Sequence, residues 1–171
     1  VPVLYVLRHA KSSWGDPDLP DRERPLAPRG ERAAALLGAY LAQEQVRPDR
    51  VLCSPARRAV QTLAALCAHW SGAPEPSLEE DLYGASAAEL AERLRRVPGE
   101  IASVLLVGHN PGLHDLACAL AGTGPPEELR RLRQKLPTAG WVELLLPGPT
   151  WRDLAPGRAE LRRFRVPRDL V

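Results

Sequence analysis

Val3-Leu4-Tyr5-Val6-Leu7-Arg8-His9-Ala10-Lys11-Ser12 opens the chain with five consecutive apolar residues that stop abruptly at a cation beside an imidazole. Such a run, rich in β-branched and aromatic side chains, reads as a strand buried on both faces, the kind found in parallel sheets covered by helices. In open parallel sheets ligands bind at the carboxyl ends of the strands, so Arg8 and His9 stand where chemistry is expected. The structural alternative is a strand-end arginine next to a surface histidine.

The same grammar recurs downstream. Arg50-Val51-Leu52-Cys53 is a second apolar run, and it leads into Ser54-Pro55-Ala56-Arg57-Arg58-Ala59-Val60-Gln61-Thr62. Ser54 reads as an N-cap and Pro55 as the first helical residue, with helix continuing to His69. Ala102 to Val107 is a third run, ending in Gly108-His109-Asn110-Pro111-Gly112, where Asn110 reads as N-cap of an apolar helix to about Ala121. Further helices are expected from Pro28 to Gln45, from Ser86 through Arg96 and from Glu127 to Leu136. Trp141 to Leu146 reads as another strand, and Gly157 to Pro167, with arginines interspersed among Leu161, Phe164 and Val166, as a half-exposed edge strand. Alternating strands and helices argue for a layered α/β fold with right-handed crossovers, and no boundary divides residues 1–171 into more than one domain.

The 171 residues, 44% hydrophobic and 26% charged with a formal net charge of +2, describe an ordinary globular chain. The near-balanced charge does not imply a nucleic-acid or membrane partner, and none is expected, although the arginines between Gly157 and Pro167 could be read as a nucleic-acid patch. No leader pattern and no membrane-length apolar run is present. Cys53, Cys67 and Cys118 cannot all pair within the chain and form no metal-ligand spacing, so free buried thiols in a reducing cytoplasm are expected, with no metal and no cofactor. A monomer is expected.

Candidate chemistry collects at the strand ends. If Arg8, His9, Arg57 and His109 converge, two guanidiniums supply forked donors for phosphoryl oxygens, one neutral imidazole attacks phosphorus, and the second donates a hydrogen bond as charge redistributes. Arg57 falls in the first turn of its helix, where a cation opposes the helix dipole by roughly 0.3–1 kcal/mol unless an anion stands before it. Arg58 is assigned to solvent, and His69 and His114 to structural or exposed roles. The loop from Trp14 to Pro25, dense in Gly, Pro and Asp, is the candidate contact for a substrate.

Arg8-His9-Ala10, Pro25-Leu26, Gly30, Ser54-Pro55-Ala56-Arg57, Gln61-Thr62 and Gly108-His109-Asn110, in that order, resemble the histidine phosphatase superfamily. The short chain, Ala10 and the Lys11-Ser12-Ser13-Trp14 continuation most resemble its small SixA-like phosphohistidine phosphatases. The resemblance implies a three-layer α/β/α fold with a mostly parallel central sheet, phosphoglycerate-mutase-like. It makes His9 the transiently phosphorylated nucleophile and Arg8, Arg57 and His109 the phosphoryl ligands, with Ser12 and Asn110 as additional phosphate-binding residues. Many phosphomonoesterases of the superfamily carry a glutamate that protonates the leaving oxygen; here Glu79-Glu80-Asp81-Leu82-Tyr83 offers only Glu80 as candidate acid. A protonated phosphoramidate nitrogen leaves more readily than an alkoxide, so the weak acid position favours phosphohistidine on a protein as substrate. The alternatives are a phosphomonoesterase acting on a small phosphorylated metabolite with Glu80 as acid, and a non-catalytic phosphate-binding module. Activity is expected to fall on the acid side as the His9 imidazole gains its proton.

Overall fold

The computed structural model describes residues 1–171. The opening run forms β1 (Val3–Arg8) near the middle of a seven-stranded sheet. The other strands are β2 (Arg50–Cys53), β3 (Ser77–Leu78), β4 (Ser103–Gly108), β5 (Ala121–Thr123), β6 (Trp141–Leu145) and β7 (Ala159–Arg165), in the spatial order β3-β2-β4-β1-β6-β7-β5. β1, β2, β3 and β4 are mutually parallel, β5 is parallel to β7, and only β6 runs against the rest, between β1 and β7. The sheet is therefore mostly parallel, as expected.

Alternation along the strands sends successive side chains to opposite faces. Leu7, Val51, Cys53, Leu105, Val107 and Trp141 pack under α1 (Pro28–Gln43) and α2 (Arg57–Cys67). Leu4, Val6, Leu52, Val104, Leu106, Val142 and Leu144 pack under α3 (Ala87–Arg95), α4 (Gly112–Leu120) and α5 (Pro126–Gln134). These are the two outer layers of an α/β/α sandwich. Ser86 caps α3 as the sequence indicates: its hydroxyl accepts from Glu89 N at 3.2 Å, and the Glu89 carboxylate returns the bond to Ser86 N at 3.1 Å. Gly30 lets α1 come close behind the strand-end loop, since a Cβ built there would lie 2.1 Å from the Lys11 carbonyl oxygen.

Four local expectations are corrected. β7 is not an edge strand: it pairs with β6 on one side and on the other with β5, a three-residue strand that closes the sheet. Ser54 is not the N-cap: α2 begins at Arg57 with Ala56 before it, and the Ser54 hydroxyl takes part in the site described below. Asn110 is not a cap either, since α4 begins at Gly112 and the Asn110 amide reaches across to Leu136 O at 2.8 Å. Cys53 is buried and its thiol pKa pushed up to about 12 by desolvation, but Cys67 is exposed, its position on α2 lying off the apolar face.

Candidate active site

The carboxyl ends of β1, β2 and β4 lie side by side and bring the strand-end residues together. Backbone bonds hold His9 from three directions. Its N–H donates to Gly108 O at 3.1 Å, and the next amide, Ala10 N–H, donates to Thr62 Oγ1 at 2.9 Å. Thr62 Oγ1 in turn donates to Arg58 O at 2.6 Å, and Gln61 Oε1 receives Leu26 N–H at 2.8 Å, so the Gln61-Thr62 pair of α2 braces both ends of the loop behind His9. From the β6 side, Ala139 N–H lies 3.0 Å from Arg8 O and 3.1 Å from His9 O. Ala139 adopts φ 60, the left-handed region that costs a non-glycine residue strain, which persists here because the surrounding contacts fix it.

His9 is 7% exposed, and its Nδ1 lies 2.7 Å from Ala10 O. A carbonyl oxygen only accepts, so Nδ1 carries the proton and Nε2 keeps its lone pair. Burial, then the neighbouring His109, Arg58 and Arg8, pushes the His9 pKa down to about 3. The ring is neutral throughout the physiological range. His109 stands beside it with ring centres 5.2 Å apart. Its Nε2 is 2.7 Å from Ser54 Oγ, which already accepts Ala56 N–H at 3.2 Å. With the Ser54 hydroxyl donating to His109 Nε2, the ring proton sits on Nδ1, which has no protein partner. Burial and the charges of Arg58 and Arg8 push the His109 pKa down to about 4, against a smaller opposing pull from Asp21.

Two guanidiniums complete the site, and one differs from the sequence expectation. Arg8 donates from Nη1 to Leu136 O at 3.1 Å. Arg57 does not join it: its side chain is exposed and reaches Glu23 O at 3.3 Å. The second guanidinium belongs to Arg58, which is buried, donates from Nη1 to Asp21 O at 2.7 Å and from Nη2 to Asp21 Oδ2 at 3.0 Å, and bears electrostatically on both imidazoles. The reason is helical geometry. Neighbouring residues are turned about 100° apart around a helix axis, and with α2 beginning at Arg57 it is the next residue that faces the strand ends. The spacing to Thr62 carried this signal: positions four apart share a face, and Thr62 bonds the Arg58 carbonyl.

Ser12 is buried, but its hydroxyl accepts Arg24 Nη2 at 2.7 Å, and both its partner and that of Asn110 lie outside the imidazole pair. Their side-chain hydrogen bonds go to the Arg24 guanidinium and to the Leu136 carbonyl. Asn110 shares the Leu136 carbonyl with Arg8 and so aligns that guanidinium. Glu80 lies at the rim, exposed and gripped by Arg22 through two bonds of 2.8 and 2.9 Å. That hydrogen bonding holds its carboxyl below the usual range, so it is ionised and has no proton to give as an acid. Asp21 is likewise held low, first by the Tyr83 hydroxyl and then by Arg58, and Tyr83 sets the edge of its ring against His109 with centres 5.4 Å apart. The loop from Trp14 to Pro25 thus closes one side of the site through Asp21, with Trp14 lying over the Arg24 guanidinium at 3.4 Å.

On the three residues that accompany His9 at the strand ends, a buried nitrogen of each has no protein partner: Arg8 Nε, Arg58 Nε and His109 Nδ1. Two permanent cations and a neutral imidazole offer donors of the kind that suit the oxygens of a phosphoryl group, with an imidazole lone pair available to attack.

The comparisons with known proteins agree with this chemistry. The sequence model of the histidine phosphatase superfamily (branch 1) matches residues 4–84. An uncharacterized protein of Mycobacterium tuberculosis is 41% identical over 165 residues, 95% of this chain and 100% of its own length. Among solved structures, a protein of Nakamurella multipartitia provisionally assigned as phosphohistidine phosphatase SixA is 29% identical with a TM-score of 0.80, covering 96% of this chain and 95% of that one. A provisionally assigned SixA of Agrobacterium tumefaciens is 28% identical with a TM-score of 0.81, covering 97% and 99%.

Proposed function

The chain belongs to the histidine phosphatase superfamily and is a SixA-like phosphatase, and from that premise we propose that it hydrolyses phosphohistidine carried on a protein. His9 Nε2 attacks phosphorus in line; the bond from phosphorus to the substrate ring nitrogen breaks, and its electron pair stays on the departing imidazole. The phosphoryl group rests on Nε2 while Nδ1 keeps its proton on Ala10 O. Water then attacks phosphorus, the pair returns to Nε2, and inorganic phosphate carries the water's protons away. Arg8, Arg58 and His109 hold the three equatorial oxygens through both steps, where preorganised donors contribute most.

The observation that carries the choice of substrate is the state of the rim carboxylates. Glu80 is committed to Arg22 and Asp21 to Tyr83 and Arg58, and both are ionised. A site with no protonated carboxyl suits a leaving group that brings its own proton, as a phosphorylated imidazolium does, and serves an alkoxide poorly. The test compares phosphate release from a phosphohistidine peptide, an aryl phosphate and a sugar phosphate, with His9→Ala as control. The expected result is at least a tenfold preference in kcat/KM for the peptide over the sugar phosphate, about 1.4 kcal/mol at the transition state. The variant loses turnover and the acid-labile phosphoenzyme. Equal turnover of the sugar phosphate would point to a small-metabolite phosphomonoesterase, and binding without turnover to a phosphate-binding module.

A further inference from the structure

We propose that the Asp21 carboxylate is a specificity-determining residue at the mouth of the site, selecting substrates whose leaving group carries a positive charge. The inference rests on the phosphohistidine reading above and says how that substrate is told apart from an anionic metabolite.

The direction of the reaction places the leaving group. His9 is 7% exposed and forms the floor of the site, and in-line displacement puts the departing atom on the side of phosphorus opposite the nucleophile. The leaving group therefore faces the rim. Two carboxylates stand there, and their lone pairs are spent differently. Glu80 gives both oxygens to Arg22. Asp21 receives Arg58 Nη2 and the Tyr83 hydroxyl on Oδ2, while Oδ1 has only Arg24 Nε at 3.5 Å, beyond ordinary hydrogen-bond reach. The side chain is 51% exposed, so Oδ1 has acceptor capacity to spare.

The charged and titratable groups around Asp21 are Arg58, Arg24, Tyr83 and His109, with Arg22 beyond the Tyr83 ring. The Arg58 Nη groups hold Asp21, and its Nε has no protein partner. This fixes a negative charge beside the phosphoryl pocket without closing it. An imidazolium N–H arriving at Oδ1 gains a charge-assisted hydrogen bond. A sugar acid or a second phosphate meets like charge at the same place. During transfer the ring proton stays on the distal nitrogen under Asp21, so that when the P–N pair returns to the ring the imidazole leaves neutral.

The decisive variant is Asp21→Asn. Its amide oxygen still accepts from Arg58, and the residue-21 carbonyl is untouched, so the charge is removed and the frame kept. The probes are a phosphohistidine peptide and p-nitrophenyl phosphate, whose leaving group has no ring proton. The ratio of kcat/KM for peptide over aryl phosphate is expected to fall about tenfold. The alkaline limb of the peptide profile is expected to move to lower pH, because the substrate ring loses the charge that keeps it protonated, while the aryl phosphate limb stays in place. Tyr83→Phe, which keeps the carboxylate, is expected to retain the peptide preference. An equal loss on both substrates with unshifted profiles would overturn the proposal and leave Asp21 as a positioning residue for Arg58. Wild-type turnover of the aryl phosphate without the peptide would instead bring down the phosphohistidine reading, and this inference with it.

Discussion

At the scale of the residue, the site is built around two imidazoles that the fold keeps neutral. Their folded pKa values, about 3 for His9 and about 4 for His109, lie below the ordinary 6.5. The acid limb of activity expected from an unperturbed imidazole is therefore displaced well below pH 6. Depressed values also link to stability: the unfolded chain binds protons that the folded chain refuses, so stability is full above about pH 6.5 and drains away as pH falls towards 4 and 3. At about 1.4 kcal/mol per pKa unit, the two rings together account for several kcal/mol of acid sensitivity. Urea midpoints measured from pH 7 to pH 4 are expected to fall, and to fall less steeply in His9→Asn, which has no proton to gain. An unchanged slope in the variant would assign the titration to other groups.

Among the elements, α2 does most to shape the site. It sends Arg58 to the phosphoryl donors, Thr62 to the Ala10 amide and Gln61 to Leu26, while Arg57 points to solvent. Arg58→Ala is expected to lower kcat/KM on the order of a hundredfold or more, the usual cost of removing one preorganised donor to a developing charge. Arg57→Ala is expected to stay within about twofold. Steady-state kinetics on one substrate decide it, and the reverse order would return the role to Arg57. This pair also shows what was legible in the sequence. The buried strands β1 and β4, the cap at Ser86 and the placement of His9 and His109 follow from local pattern, because periodicity and capping are local. The choice between two adjacent arginines depends on where α2 starts. That start leaves Ser54 outside the helix, its hydroxyl bonded to His109 55 residues away in the chain, a contact no local pattern encodes. The strand β5 was illegible for a related reason. Ala121-Gly122-Thr123 shows no alternation of its own and is strand only because β7 offers it an open edge.

Over the whole molecule, the site sits on the rim of a sheet clamped between two apolar layers. Leu106, 1% exposed in β4 and in register with Val6 of β1, lies beneath α3 and α4, away from the phosphoryl donors. Leu106→Ala is expected to cost about 2–5 kcal/mol in urea denaturation, with kcat/KM at temperatures below unfolding little changed. A large kinetic loss in the folded variant would mean that the strand ends shift when the layer beneath them loosens. The Ala139 amide that bridges the Arg8 and His9 carbonyls has one more consequence, in the order of biosynthesis. His9 is made 130 residues before its clamp, which lies just ahead of the strand that runs against all the others. At about 5–20 residues per second, the nascent chain spends on the order of ten seconds or more with its histidine exposed and its site unassembled. Activity then waits for β6 to insert beside β1, and a ribosome stalled before residue 139 would carry an inert phosphatase.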